Sequence, residues 1–118
     1  MVKGIPVINR QGCGIILLRD IEYIECDYRR AVLHTGEGEY TVYYGPEEIK
    51  DFLDGRFDRC SKTLFVNHSK VKYMSDDTIS FFSGGKLMLG RRIFQRAKRE
   101  YVLYIKNLQK TLANSSSL

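Results

Sequence analysis

Phe57-Asp58-Arg59-Cys60-Ser61-Lys62-Thr63-Leu64-Phe65-Val66-Asn67 is the stretch around which the chain is organised. It opens on an aromatic anchor, passes through a basic and polar run, and closes on an apolar segment. The apolar end, Leu64 to Asn67, reads as a buried strand. Arg59 to Thr63 reads as a loop leading into it. Basic tips on a rigid apolar footing are what a loop needs to read a charged surface.

Working outward, short strand candidates lie on both sides. Upstream they run Ile5–Asn9, Ile15–Leu18, Ile21–Cys26, Ala31–His34 and Glu39–Tyr44. Arg10–Gly14 is a glycine-marked turn, Asp27–Arg30 a tight connection, and Thr35-Gly36-Glu37-Gly38 a hairpin turn. Tyr40, Val42 and Tyr44 alternate, which places them on one face. At Gly45-Pro46 the period changes. Pro46 suits a first helical turn, Glu47 and Glu48 suit its positive end, and Ile49, Phe52 and Leu53 share a stripe. Asp54-Gly55-Arg56 ends that short helix. Downstream, His68-Ser69-Lys70 is a turn, followed by strands Val71–Met74, Thr78–Phe82 and Lys86–Leu89 with turns at 75–77 and 83–85. Many short strands with frequent turns signal an all-β sandwich or barrel. From Arg91 the period is helical, with Phe94, Ala97, Tyr101, Tyr104, Ile105 and Leu108 as a stripe expected to pack on a sheet.

The fold class read from this pattern is mainly β. It is an elongated antiparallel β-sandwich of short strands, with one short helix and a C-terminal helix. A length of 118 residues implies one domain, assigned to 1–110, with 111–118 as a disordered tail. No apolar run approaches the roughly 20 residues of a membrane span, and the N-terminus has no signal-peptide core. The expectation is a cytoplasmic protein without membrane insertion.

Charge is unevenly placed. Residues 1–58 hold seven basic and eleven acidic residues, and residues 59–118 hold twelve and three. A polyanionic partner would therefore meet the second half. Three basic pairs stand at strand ends: Arg29-Arg30, Arg59 with Lys62, and Arg91-Arg92.

No catalytic set is visible. His34 and His68 lack the spacing to a nucleophile or to each other that hydrolytic or zinc chemistry needs. His68 reads as an exposed turn residue. Neither glycine turn has the phosphate-loop spacing. Cys13, Cys26 and Cys60 form no close pair, so no metal site and no disulfide framework is expected, and no cofactor is implied. Cys60 is the candidate redox residue, because basic neighbours lower a thiol pKa.

The stretch from Phe57 to Asn67 resembles the signature of the LytTR family of bacterial DNA-binding domains: Phe-x-Arg-x-His-Arg-Ser, an aromatic, two aliphatics and Asn. Phe57, Arg59, Lys62, Thr63 and Leu64–Asn67 fit, and Ser61 stands where the family has His. Asp20-Ile21-Glu22-Tyr23-Ile24-Glu25 is similar to the family's acidic-Ile-aromatic strand, and Leu87–Arg92 to its late strand and turn, with Gly90 in place of Ser. The resemblance covers residues 3 to 108. It implies sequence-specific binding of double-stranded DNA by loops, in transcriptional regulation. By position, Arg29, Lys62 and Arg91 would contact base edges, with Arg29 and Arg30 competing for the first place. Arg30, Arg59, Ser61, Thr63, Arg92 and Arg96 would contact the DNA backbone. Asn67 would cap the following turn. The resemblance also implies tandem direct repeats in the DNA, a second protomer on it, and regulation by a partner protein. No receiver-like segment precedes the motif, so no phosphorylation input is expected within this sequence.

Two other readings remain open. One is a protein-interaction module using the aromatic strand Tyr40–Tyr44. The other is a small β-domain stacking RNA bases on Phe81-Phe82 and Tyr43-Tyr44.

Overall fold

The computed structural model describes residues 3–116. Its centre is a five-stranded antiparallel sheet in the order β5-β4-β3-β7-β6. These strands are β3 (Ile21–Cys26), β4 (Ala31–Thr35), β5 (Gly38–Val42), β6 (Phe57–Ser61) and β7 (Leu64–Asn67). The hairpin β1 (Gly4–Asn9) and β2 (Gly12–Leu17) covers one face, together with α1 (Pro46–Phe52). The other face carries a three-stranded sheet of β8 (Val71–Ser75), β9 (Thr78–Phe81) and β10 (Lys86–Met88), and α2 (Arg91–Ser116). The body is elongated, 51 × 36 × 26 Å. Among the described residues no helix is long and apolar enough to cross a membrane.

Two apolar cores follow from this layering. On the hairpin side, Ile5, Ile21, Ile24, Leu33, Val42, Ile49 and Phe65 pack together. On the helix side, Leu64, Val66, Val71, Ile79, Phe81, Phe94 and Ala97 do so. The period-2 alternation of β7 sends Phe65 to one core and Leu64 and Val66 to the other, so this strand is buried on both sides. That is why its sequence is continuously apolar.

Four expectations change. The Arg59–Thr63 run, expected as a loop, is in part strand: β6 reaches Ser61 and pairs with β7, leaving only Lys62-Thr63 as the turn. Apart from the buried Cys60, the residues of β6 are half-buried at the edge of a sheet, so no apolar alternation marked it. β2 begins at Gly12, and only Arg10-Gln11 turns the first hairpin. The α2 stripe packs through Phe94, Ala97, Tyr101 and Tyr104 only, while Ile105 and Leu108 stand about half exposed. The helix runs past the sheet and on through 111–116, where the composition predicts a tail; 117 and 118 lie outside the described residues.

His68 is also not an exposed turn residue. It is 6% exposed, packed under α2 against Tyr101 and Tyr104 at 5.5 and 5.1 Å between ring centroids. Among the described residues its Nε2 has no hydrogen-bond partner, and it lies 3.9 Å from the Asp58 carboxylate. Burial lowers its pKa, and the fields of Asp58 and Glu100 only partly oppose this. The folded protein therefore disfavours the imidazolium, whereas the unfolded chain protonates His68 near pH 6.5. Stability is full above that pH and falls as the pH drops through it. Melting temperatures across pH 7.5 to 5.5 should decline, and the slope should flatten in His68→Phe. Equal slopes in the two proteins would remove His68 as the cause.

Candidate nucleic-acid interface

Two basic turns meet at one end of the central sheet. β3 and β7 are antiparallel neighbours with Glu25 opposite Leu64, and the Cys26 N–H donates to the Thr63 carbonyl at 2.7 Å. The Asp27–Arg30 turn therefore lies beside the Lys62-Thr63 turn. Gly45, ahead of α1, packs against the same turn. A Cβ there would come within 2.9 Å of the Tyr28 carbonyl oxygen, so a side chain would push the turn away.

Asp27 shapes the first turn. Its Oδ1 accepts from the Arg29 and Arg30 N–H groups, each at 3.0 Å, and its Oδ2 accepts from Arg30 Nε at 3.1 Å. These bonds, those from the two backbone N–H groups foremost, hold the Asp27 carboxyl below its ordinary pKa. Arg30 is thus paired within the turn. Arg29 is not: its guanidinium lies over the Tyr28 ring, 5.1 Å from the centroid, and Tyr28 is 80% exposed.

The second turn follows a bulge. Arg59 opposes Phe65 and Ser61 opposes Leu64, leaving Cys60 as the extra residue. Arg59 Nη2 donates to the Lys62 carbonyl at 2.9 Å and meets Glu47 Oε2 of α1 at 2.7 Å, with the guanidinium over Phe65. Arg59 therefore braces the turn from inside, and this contact holds Glu47 below the ordinary carboxylate range. Ser61 Oγ accepts from the Thr63 N–H, and Lys62 is left exposed at the tip.

Alpha helix 2 supplies the third element. It lies across β6 with Phe94 and Ala97 in the core, and Arg92 and Arg96, four residues apart, share an exposed face. Tyr28, Ser61, Lys62, Thr63 and Arg96 line one open groove of about 710 Å³, with Asp27 and Glu47 in its wall. Arg91 is not in that groove. It sits about 7.5 Å further toward the start of the helix. There it is 77% exposed, 3.8 Å from Asp77. Asp76 and Asp77 both have positive φ, the geometry of a tight two-residue hairpin turn.

Cys60 contradicts the sequence expectation. The bulge turns it inward, 1% exposed, with its thiol donating to Asp58 Oδ2 at 3.3 Å. Burial and the Asp58 carboxylate push its pKa strongly up, and Arg96 opposes this only weakly. It is a core residue, not an activated thiol. The aromatic pairs form no stacking platform either. Phe81 is buried and Tyr44 packs on Phe52, leaving Phe82 and Tyr43 as separate exposed rings. Tyr28 and Glu47 were missed by the sequence reading. Tyr28 carried one signal, a large aromatic inside a tight charged turn. Glu47 carried none, because its partner comes from another element.

Residues 13–101 match the model of the LytTr DNA-binding domain family. A solved LytTr DNA-binding domain, from a Bacillus cereus protein described as a methyl-accepting/DNA response regulator, superimposes with a TM-score of 0.67 at 17% identity. The match covers 85% of this chain and 96% of that one. No curated protein matches the chain.

Proposed function

The chain belongs to the LytTr DNA-binding domain family and binds DNA, and on that premise we propose that it is a transcriptional regulator reading specific duplex sites through the two turns and the start of α2. The observation that carries this reading is the convergence of Tyr28, Ser61, Lys62, Thr63 and Arg96 on one groove from three elements distant in sequence. Arg29, Lys62 and Arg91 are the base readers. Each is exposed, and arginine and lysine favour the guanine edge in the major groove. Arg29 takes precedence over Arg30 because Asp27 already holds the Arg30 guanidinium. Ser61, Thr63, Arg92 and Arg96 contact phosphates, with Arg30 beside them. Arg59 keeps the Lys62 turn in place. Two protomers on tandem direct repeats, controlled by a partner protein, complete the proposal.

The test compares alanine variants on a site selected from random duplex DNA and on scrambled DNA of equal length. Arg91→Ala should weaken the specific complex about 10- to 100-fold and the non-specific complex little. Lys62→Ala should lose less, since an ammonium lacks the guanidinium fork. Arg92→Ala and Arg96→Ala should weaken both complexes together. If Arg91→Ala weakens both equally, Arg91 is a phosphate clamp and the base-reading assignment fails.

A further inference from the structure

The β4–β5 turn stands at the end of the central sheet away from the Asp27–Arg30 turn, and β2 runs beside it. β2 is an open edge, and among the described residues it pairs with β1 alone. The Leu18 N–H donates to the Lys3 carbonyl at 3.0 Å. That sets the alternation of the hairpin: residues 12, 14 and 16 turn their backbone groups toward β1, and Cys13, Ile15 and Leu17 turn theirs outward. Gly12–Leu17 contains no charge and no proline, the usual devices that close an edge. Nearby edges are blocked by comparison. Pro6 interrupts β1, and Asn9 Nδ2 donates to the Thr41 carbonyl of β5 at 2.8 Å.

Two cavities of about 620 and 530 Å³ meet along β2, sharing Ile16 and Tyr40. Asp20, Glu22 and Glu37 line the first and Glu39 the second, with Lys70 the one basic residue in either wall. Glu22 lies where the pairing of β3 with β4 slips, and it is 6% exposed. Its carboxylate accepts a hydrogen bond from the Ser83 hydroxyl, and among the described residues no basic side chain forms an ion pair with it. A buried carboxylate without a cation is costly and favours a cationic neighbour. Ile15 and Phe82, 60% and 69% exposed, add an apolar border.

We propose that this edge is a β-augmentation site for an extended segment of a partner protein in which apolar residues alternate with lysine or arginine. The outward backbone groups of Cys13, Ile15 and Leu17 select a strand. The alternation lays apolar side chains on Ile15 and Phe82 and carries cations to Asp20, Glu22 and Glu37. A second copy of β2 would bring no positive charge to those carboxylates, so self-pairing fits less well. The β4–β5 turn that borders the site is at the opposite end of the sheet from Asp27–Arg30. A partner and a duplex can therefore be held at once.

The test titrates the labelled full chain with acetyl-Val-Lys-Val-Lys-Val-Lys-amide and with its Val-Glu counterpart. The lysine peptide should shift the amides of Cys13, Ile15 and Leu17 and slow their hydrogen exchange at least tenfold, with or without bound duplex. The glutamate peptide should do neither. Asp20→Asn with Glu37→Gln, both at exposed positions, should weaken peptide binding at least tenfold, and Glu22→Gln should do the same. Unshifted amides at these positions would overturn the proposal, as would equal binding of the two peptides. Protection that rises with protein concentration and no peptide would assign the edge to a second copy instead.

Discussion

Asn67→Ala is expected to destabilise the domain by roughly 2–4 kcal/mol, from the buried Ile21 carbonyl it would deprive and the further hydrogen bonds it would remove. Asn67 is fully buried at the end of β7. Its Nδ2 donates to the carbonyls of Leu18 at 3.3 Å and Ile21 at 2.8 Å. Its Oδ1 accepts from the Ser69 N–H at 3.0 Å and the Ser69 hydroxyl at 2.7 Å. One amide thus satisfies backbone groups at the start of β3 and of the turn at 68–70. Alanine would leave the Ile21 carbonyl without the amide donor in the core, while the Leu18 carbonyl keeps the Ile21 N–H and the N–H of exposed Ser69 can turn to water. Asn67→Asp should not rescue, because a carboxylate cannot donate to the two carbonyls and brings a buried charge. Denaturant unfolding would show a lowered midpoint with an unchanged slope. A loss below about 1 kcal/mol would mean that water replaces the amide, and the site is less sealed than described.

Duplex affinity is expected to fall about 500-fold between 50 and 200 mM salt. Arg29, Lys62, Arg91, Arg92 and Arg96 are exposed cations on the two turns and α2. If these five charges, at base edges and phosphates alike, displace about five counterions from the duplex, log K falls against log salt with a slope near −4.5, and a fourfold change in salt gives that factor. Arg92→Ala and Arg96→Ala should each reduce the slope by about one. The wall carboxylates Asp27 and Glu47 do not cancel this attraction, because Arg30 and Arg59 already pair with them. Titration at five salt concentrations gives the slope directly, and a flat line would remove the groove as the DNA surface.

The parts of the fold visible in the sequence were those written by local periodicity or turn chemistry. The Thr35–Gly38 hairpin, the Pro46 helix, the buried Leu64–Asn67 strand and the helix from Arg91 all stand where expected. What was missed depends on elements that arrive from elsewhere. β6 is polar and half-buried because it is an edge, so its sequence looks like a loop. His68 and Cys60 are buried because α2 lies over them, and α2 is encoded more than twenty residues downstream. In the site, the convergence of the Arg29 and Lys62 turns was expected from the resemblance, and the β3–β7 pairing accounts for it physically. The division of labour inside each basic pair was not legible, because Asp27 and Glu47 choose which arginine is held.

The pairing of β3 with β7 also has a kinetic meaning. The Asn67 bonds to Leu18 and Ile21 reach back 49 and 46 residues, whereas β3-β4-β5 and β6-β7 are each joined by short turns. Each meander can form early, since closing a short loop is entropically cheap. The two halves of the sheet must then find each other, and that late search sets the folding rate. Destabilising substitutions in the β4–β5 hairpin, already formed when the halves meet, should slow refolding and leave unfolding nearly unchanged, whereas those at the seam residues Ile24 or Val66 should both slow refolding and speed unfolding. The seam that gathers the basic turns at one end is thus also the bottleneck through which the chain reaches its native state.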